Sequence, residues 1–172
     1  MLRKTFIAMV ATAVLSTGAA ALDDRVLTLP GEYRTAYDNY LIADRLNQDD
    51  QVISLYANAT AREAARAGQS MPDGAIIVGE IYKAQKDAGG AVIESMLGRR
   101  IPGLLAAIVV MERRAEWAAQ YPAETGLDGW EFEVFSPAGK NLGKDTTACR
   151  ECHAPLDGSA FLFSYEHLGG AN

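Results

Sequence analysis

The stretch "TTACRECHA", residues 146–154, holds the chain's only two cysteines, Cys149 and Cys152, with His153 directly after the second. On a helical turn, residues three apart lie side by side. Two thiolates at that spacing can add to the two vinyl groups of one porphyrin edge. The next residue then projects over the ring, where an imidazole can hold the iron from one side. Two other chemistries use the same residue types. A C-x-x-C pair in an oxidising compartment can close as a structural or redox disulfide. A cysteine pair can also be half of a structural zinc site, which needs four ligands, usually from two separated pairs. A redox disulfide normally sits on a thioredoxin-like βαβ scaffold, which the chain does not show. Zinc would have only His167 as a further strong donor. Haem attachment is the favoured reading: one covalent haem c per chain, with Cys149 and Cys152 as anchors and His153 as proximal iron ligand.

The opposite side of the iron decides the role. Electron carriers fill that position, usually with Met or His, whereas gas-binding and catalytic haems leave it open. Met71, Met96, Met111 and His167 are the candidates downstream of the leader. Met111 ends an apolar run and reads as core. Met71 precedes Pro72 in a turn. His167, near the C-terminus, reads as exposed. No candidate stands out, which favours an open position. An electron-transfer cytochrome using Met71 or His167 is the competing reading.

The N-terminus reads as an export signal over residues 1–21. Arg3 and Lys4 precede the apolar stretch "FIAMVATAVL" and the small residues "STGAAA", and Ala19 and Ala21 fit an A-x-A cleavage site. The apolar core is shorter than the ~20 residues a membrane span needs. Residues 22–172 then form one periplasmic domain, with no membrane association after cleavage. Loss of Arg3 and Lys4 leaves 14 basic against 22 acidic residues, a net charge of −8. That balance argues against nucleic acid and anionic membrane surfaces and suits a basic redox partner in the periplasm.

Several elements must position the motif. Tyr33, Tyr37, Tyr40 and Leu41 share one face of an expected helix. "QVISLYA" (51–57) alternates as a strand, with Val52, Ser54 and Tyr56 on one side and Ile53, Leu55 and Ala57 on the other. "TARE" supplies a capping box from Thr60 to Glu63, and Gly68 a helix stop. "MPDG" is a turn, "AIIVGEIY" (75–82) a second strand, and "DAGGA" a hairpin turn. "LLAAIVVM" (104–111) reads as a central strand buried on both faces. "GWEFEVF" (129–135) points Trp130, Phe132 and Val134 inward and Glu131 and Glu133 outward. Asp145, Thr146 or Thr147 can cap a short helix carrying the cysteines, and "AFLFSYEHL" is apolar enough to dock back. Strands without regular helical crossovers imply α+β: a single domain rich in antiparallel sheet with a few helices.

Three stretches carry a resemblance: "YANATAREAARAGQSMPDGAIIVGEIY", the early "YR" at Tyr33 and Arg34, and "CRECH". The chain resembles the cytochrome P460 family, which is similar in fold to the β-type cytochromes c′. The resemblance implies an antiparallel β-rich fold, a homodimer and a five-coordinate haem with His153 proximal. Members that oxidise hydroxylamine carry a lysine bonded to the porphyrin, on the strand after the D-G turn. Here that position is Gly79. Their arginine in the preceding strand aligns with Ile53. The resemblance places their proton-relaying acid within "HAPLDGSAF", where Asp157 is the candidate catalytic residue. It also puts Ile53, Leu55, Ile77, Gly79 and Ile81 on a distal wall with no titratable group, with Phe161 and Phe163 as aromatic cover. Proton-coupled oxidation wants a positioned base. An apolar pocket instead suits nitric oxide or a similar diatomic, so gas binding is the expectation. A haem-dependent oxidoreductase acting on hydroxylamine or a related nitrogen compound is the alternative.

Overall fold

The computed structural model describes residues 27–170; the signal-peptide reading over residues 1–21 lies outside them. Five strands form one antiparallel meander in sequence order. They are β1 (Asp38–Asp44), β2 (Gln51–Ala57), β3 (Ile76–Ala84), β4 (Pro102–Arg113) and β5 (Trp130–Phe135). The helices are short: α1 (Tyr33–Ala36), α2 (Ala59–Arg66), α3 (Thr147–His153) and α4 (Tyr165–Leu168). This is the expected single α+β domain built on an antiparallel sheet.

Alternation along the strands gives the sheet two different faces. Ile53, Leu55 and Ala57 of β2 lie opposite Ile81, Gly79 and Ile77 of β3. Gly79 and Ile77 in turn lie opposite Val109 and Met111 of β4, which face Val134 and Phe132 of β5. On this first face Ala57, Ile77, Met111, Trp130 and Phe132 form a core with Ala61 and Ala64 of α2 and with Leu162 and Leu168 from the C-terminal segment. The alanines of α2 let its backbone lie close to the sheet. On the second face Val78, Ile108, Val110 and Phe135 pack with Leu27, Tyr33 and Trp117.

Three expectations change. The tyrosine stripe does not extend a helix: α1 ends at Tyr37, whose backbone is extended (φ −105°, ψ 149°), and Asp38–Asp44 pairs with β2 instead. The open edge of β2 offers a ladder of hydrogen bonds, and Tyr40 and Ile42 suit a pleated surface better than an isolated helix. The cap of α2 is Asn58, not Thr60. Its side-chain oxygen accepts from Ala61 N at 3.0 Å and Ile76 N at 3.2 Å, and its amide donates to the Gly74 carbonyl at 2.7 Å. One residue thus starts the helix and ties it to the turn before β3. Gly68 does stop the helix, at φ 63°. Finally, β4 is buried mainly in its second half; Leu104 is 83% exposed.

The second face carries an unusual polar cluster. Glu80 is 1% exposed. Tyr33 donates to it at 2.7 Å, Arg34 Nε at 2.6 Å, Tyr82 at 2.6 Å and Tyr56 at 3.2 Å. Tyr33 also meets Tyr56 edge to face. The "YR" and "GEIY" stretches, 46 residues apart, therefore converge on one carboxylate and pin α1 to the sheet. Burial works to raise the Glu80 pKa, but bonds from Tyr82, Tyr33 and Arg34 and the Arg34 charge outweigh it and hold the carboxyl below its ordinary value. The same carboxylate, added to burial, pushes the Tyr82 phenol up to about 12. A depressed carboxyl pKa stabilises the fold above its unfolded value, near ~4.3, and that stability is lost as pH falls through the folded value. Glu80→Gln should therefore lower stability at pH 7 by about 1–3 kcal/mol and flatten its pH dependence in acid, from about pH 5 downward. Urea unfolding at several pH values measures both, and parallel wild-type and variant curves would refute the assignment.

Candidate functional site

The C-x-x-C-H motif folds as expected into one short helix. Asp145 accepts from Thr147 N at 2.9 Å, which starts α3 through the residue before Thr146. Cys149 is half-buried and packs on the first core, while Cys152 is exposed. Burial pushes the Cys149 thiol above its ordinary value, and Arg45 nearby works against this.

Arg150, between the two cysteines, turns inward and is only 4% exposed. Its Nη1 donates to the carbonyls of Thr125 and Trp130, both at 3.1 Å. Its Nη2 pairs with the Glu131 carboxylate, which is itself 5% exposed. Tyr121 donates to the other Glu131 oxygen at 2.7 Å, and the Arg150 guanidinium stacks 3.5 Å above the Tyr121 ring. Strand alternation placed Glu131 outward, but β5 is the last strand of the sheet, and its carboxylate turns to meet the Arg150 guanidinium there. A planar guanidinium satisfied on several sides holds the cysteine helix at a fixed angle to the sheet.

His153 ends α3. Its Nδ1 lies 2.6 Å from the Phe161 carbonyl oxygen. A carbonyl can only accept, so Nδ1 carries the proton and Nε2 keeps its lone pair, the arrangement a metal-ligating imidazole needs. Phe132 and Phe163 meet the ring edge to face at 5.2 and 5.1 Å. Burial lowers the His153 pKa, partly opposed by the Phe161 bond, which keeps the imidazole neutral and ready to bind a metal. Phe161 thus serves through its backbone. Ala160 and Phe161 are both left-handed, at φ 52° and 62°. Such a conformation costs about 1–2 kcal/mol per L-residue and marks a turn held by its surroundings.

The structure brings the remaining sheet candidates together. Ile53, Ile77, Gly79 and Ile81 share the first face. Leu55, Cys149, Ala154 and Phe161 all pack on that face's core, so the motif abuts it. Farther along, Ile53, Leu55, Ala107, Val109 and Val134 are only half-buried, leaving an apolar surface partly covered by the chain. A Cβ at Gly79 would stand 2.9 Å from Val109 Cγ2, 3.2 Å from Ile53 Cδ1 and 3.3 Å from Leu55 Cδ2. Aliphatic side chains have closed over the position where a side chain would emerge.

Asp157 stands on the loop after α3 and shares a concavity with Phe161. It is exposed, accepts from Gly158 N at 2.8 Å and lines a concavity of about 240 Å³ with Met71, Trp130 and Tyr165. Met71 and Met111 are buried in the first core, Met96 is fully exposed on a turn, and His167 is half-exposed beside Glu166. Among the described residues no three His, Cys, Asp or Glu side chains converge as a metal ion would require, so a four-ligand zinc site has no donor set there. Sequence reasoning missed Arg150, Glu131 and the indole of Trp130. A charged residue flanked by two cysteines on a short helix carries no sign of which way it turns, and a strict alternation rule sends Glu131 to solvent.

A neutral imidazole held through Nδ1, two thiols within one turn of it and an adjoining apolar sheet face make a donor set and a surface that suit a flat iron-bearing macrocycle. The family model for cytochrome P460 matches residues 30–164, and the chain belongs to the cytochrome P460 family. That membership implies a haem cofactor and iron binding, and it suggests a c-type haem protein. No curated protein matches the chain.

Arg150→Met leaves the Glu131 carboxylate buried without its cation and should destabilise the protein by about 3–5 kcal/mol. Adding Glu131→Leu to that variant should recover part of the loss. Urea unfolding of the four proteins of this cycle measures the coupling, and additive losses would show that the pair does not act as a unit.

Proposed function

We propose that this chain is an exported, periplasmic haem protein that binds nitric oxide or a similar small neutral gas at an open iron position. Cys149 and Cys152 anchor one haem per chain by thioethers, and His153 is the proximal ligand. Ile53, Leu55, Ile77, Gly79 and Ile81 form the apolar wall of the ligand pocket. By family resemblance the protein is a homodimer, and its acidic surface favours a basic periplasmic redox partner where electrons are exchanged.

The observation that carries this reading is the closure around Gly79. The position that the resemblance sets against the lysine of hydroxylamine-oxidising members is Gly79, which has no amine, and a Cβ there would press on Val109, Ile53 and Leu55. An apolar surround supplies no proton acceptor, which oxidation of hydroxylamine needs, and it does not penalise a neutral diatomic. Bound haem iron supplies the coordination position and one-electron chemistry. The chain supplies the neutral imidazole, the dry aliphatic wall and the rigid mount of α3. Asp157, the candidate proton relay of the enzymatic alternative, is exposed and hydrogen-bonded to its own loop.

The purified holoprotein should show broad, high-spin ferric and ferrous spectra, without the strongly red-shifted ferrous Soret band of a lysine cross-link. Nitric oxide should convert the spectrum stoichiometrically, and His153→Ala should remove the proximal signature. Sharp low-spin bands in both oxidation states would make the protein an electron carrier. Sustained turnover of hydroxylamine with an artificial electron acceptor would make it an oxidoreductase.

A further inference from the structure

Trp130 opens β5, and its side chain is 1% exposed. It is joined to both parts of the structure that meet at His153. Its backbone carbonyl accepts from Arg150 Nη1 at 3.1 Å, which fixes the helix ending in His153. Its indole Nε1 donates to the Ala160 carbonyl at 3.1 Å. The next carbonyl along the chain, that of Phe161, is the one His153 Nδ1 meets at 2.6 Å. A single residue therefore ties down both the imidazole and the acceptor it faces.

The acceptor needs tying down. Ala160 and Phe161 are adjacent non-glycine residues in the left-handed region. Their turn is closed by Phe161 N donating to the Leu156 carbonyl at 2.7 Å and by Leu162 N donating to Ser159. Consecutive residues in that region persist where surrounding contacts over-determine them. The indole bond to Ala160 is a side-chain contact of that kind, one peptide away from the functional carbonyl.

We propose that Trp130 is a positioning residue for the iron ligand: its indole N–H holds the Ala160–Phe161 peptide so that the Phe161 carbonyl keeps its hydrogen bond from His153 Nδ1. The proposal rests on His153 being the proximal ligand. A hydrogen bond at Nδ1 makes the imidazole a stronger donor at Nε2, and axial donor strength is one of the protein's levers on the potential of the iron. Loosening the turn weakens that bond without altering the ligand set.

The test compares ferrous, ligand-free holoprotein of the wild type, of Trp130→Phe, and of protein with the indole at position 130 replaced by benzothiophene, which keeps its shape and lacks only the N–H. Resonance Raman reads the iron–histidine stretch, redox titration the midpoint potential, and urea unfolding the stability. Both altered proteins should show the stretch at lower frequency and a higher midpoint potential than wild type. A wild-type stretch and potential in the benzothiophene protein would overturn the proposal, whatever the change in stability. So would failure of that protein to retain haem, since the bond would then serve folding alone. If the wild type shows no iron–histidine band, the reading of His153 as proximal ligand fails instead.

Discussion

The site depends on a short hydrogen bond between a histidine ring and a main-chain carbonyl eight residues later. The role proposed for His153 requires a neutral ring in one tautomer and one orientation, although it ends a helix of only seven residues. Such a helix has little stability of its own. Its rigidity comes from outside: Arg150 and Glu131 fasten one side to the sheet edge, and the Phe161 carbonyl fastens the ring on the other. The left-handed pair at Ala160 and Phe161 is the conformational cost of presenting that carbonyl so close behind the helix. The hydrophobic surroundings act in the same direction, because burial disfavours the charged imidazolium.

β3 divides polar and apolar functions between neighbouring residues. Glu80 and Gly79 are adjacent in sequence and point to opposite faces. Glu80 gathers three tyrosines and an arginine on the side away from the attachment motif. Gly79 lies under aliphatic side chains on the side that abuts it. A carboxylate that collects four donors needs a rigid strand, and that strand then presents the apolar wall. Register has to be strict here. A slip of one residue would exchange the two faces and bury a charge against the hydrophobic surface.

Much of this was readable in the residues. The spacing of Cys149, Cys152 and His153 implies one short helix carrying all three, and they do lie on one, α3. The strand at 51–57 and the shared face of Ile77, Gly79 and Ile81 follow from a period of two, and Gly68 ends its helix as glycine does. What escaped was whatever depends on a partner distant in sequence. Tyr33, Tyr37, Tyr40 and Leu41 carry a helical spacing, yet the free edge of β2 draws Tyr40 and Leu41 into a strand. Glu131 obeys alternation until a buried guanidinium comes within reach. The role of Trp130 is invisible from its neighbours, since an indole in a strand reads as core, and its N–H matters only because Ala160 lies beside it. The meaning of the "YR" stretch likewise appears only when Glu80 is seen to bind it.

The departure from the hydroxylamine-oxidising pattern is therefore a property of packing rather than of one residue. A glycine in a strand usually weakens it, because it has no side chain to pack. At Gly79 the neighbours have filled that space: Val109 from one side, and Ile53 and Leu55 from the other, all approach the missing Cβ. Ile53 is also the residue that the resemblance sets against the family's arginine. The positions that would carry an amine and a guanidinium are thus occupied by one interlocked aliphatic patch. A side chain returned to Gly79 would press on three aliphatic side chains and set any charge it carried against an apolar surface. The apolar wall is stable as a unit, and that mutual packing is the physical reason to read the site as one built around a neutral ligand.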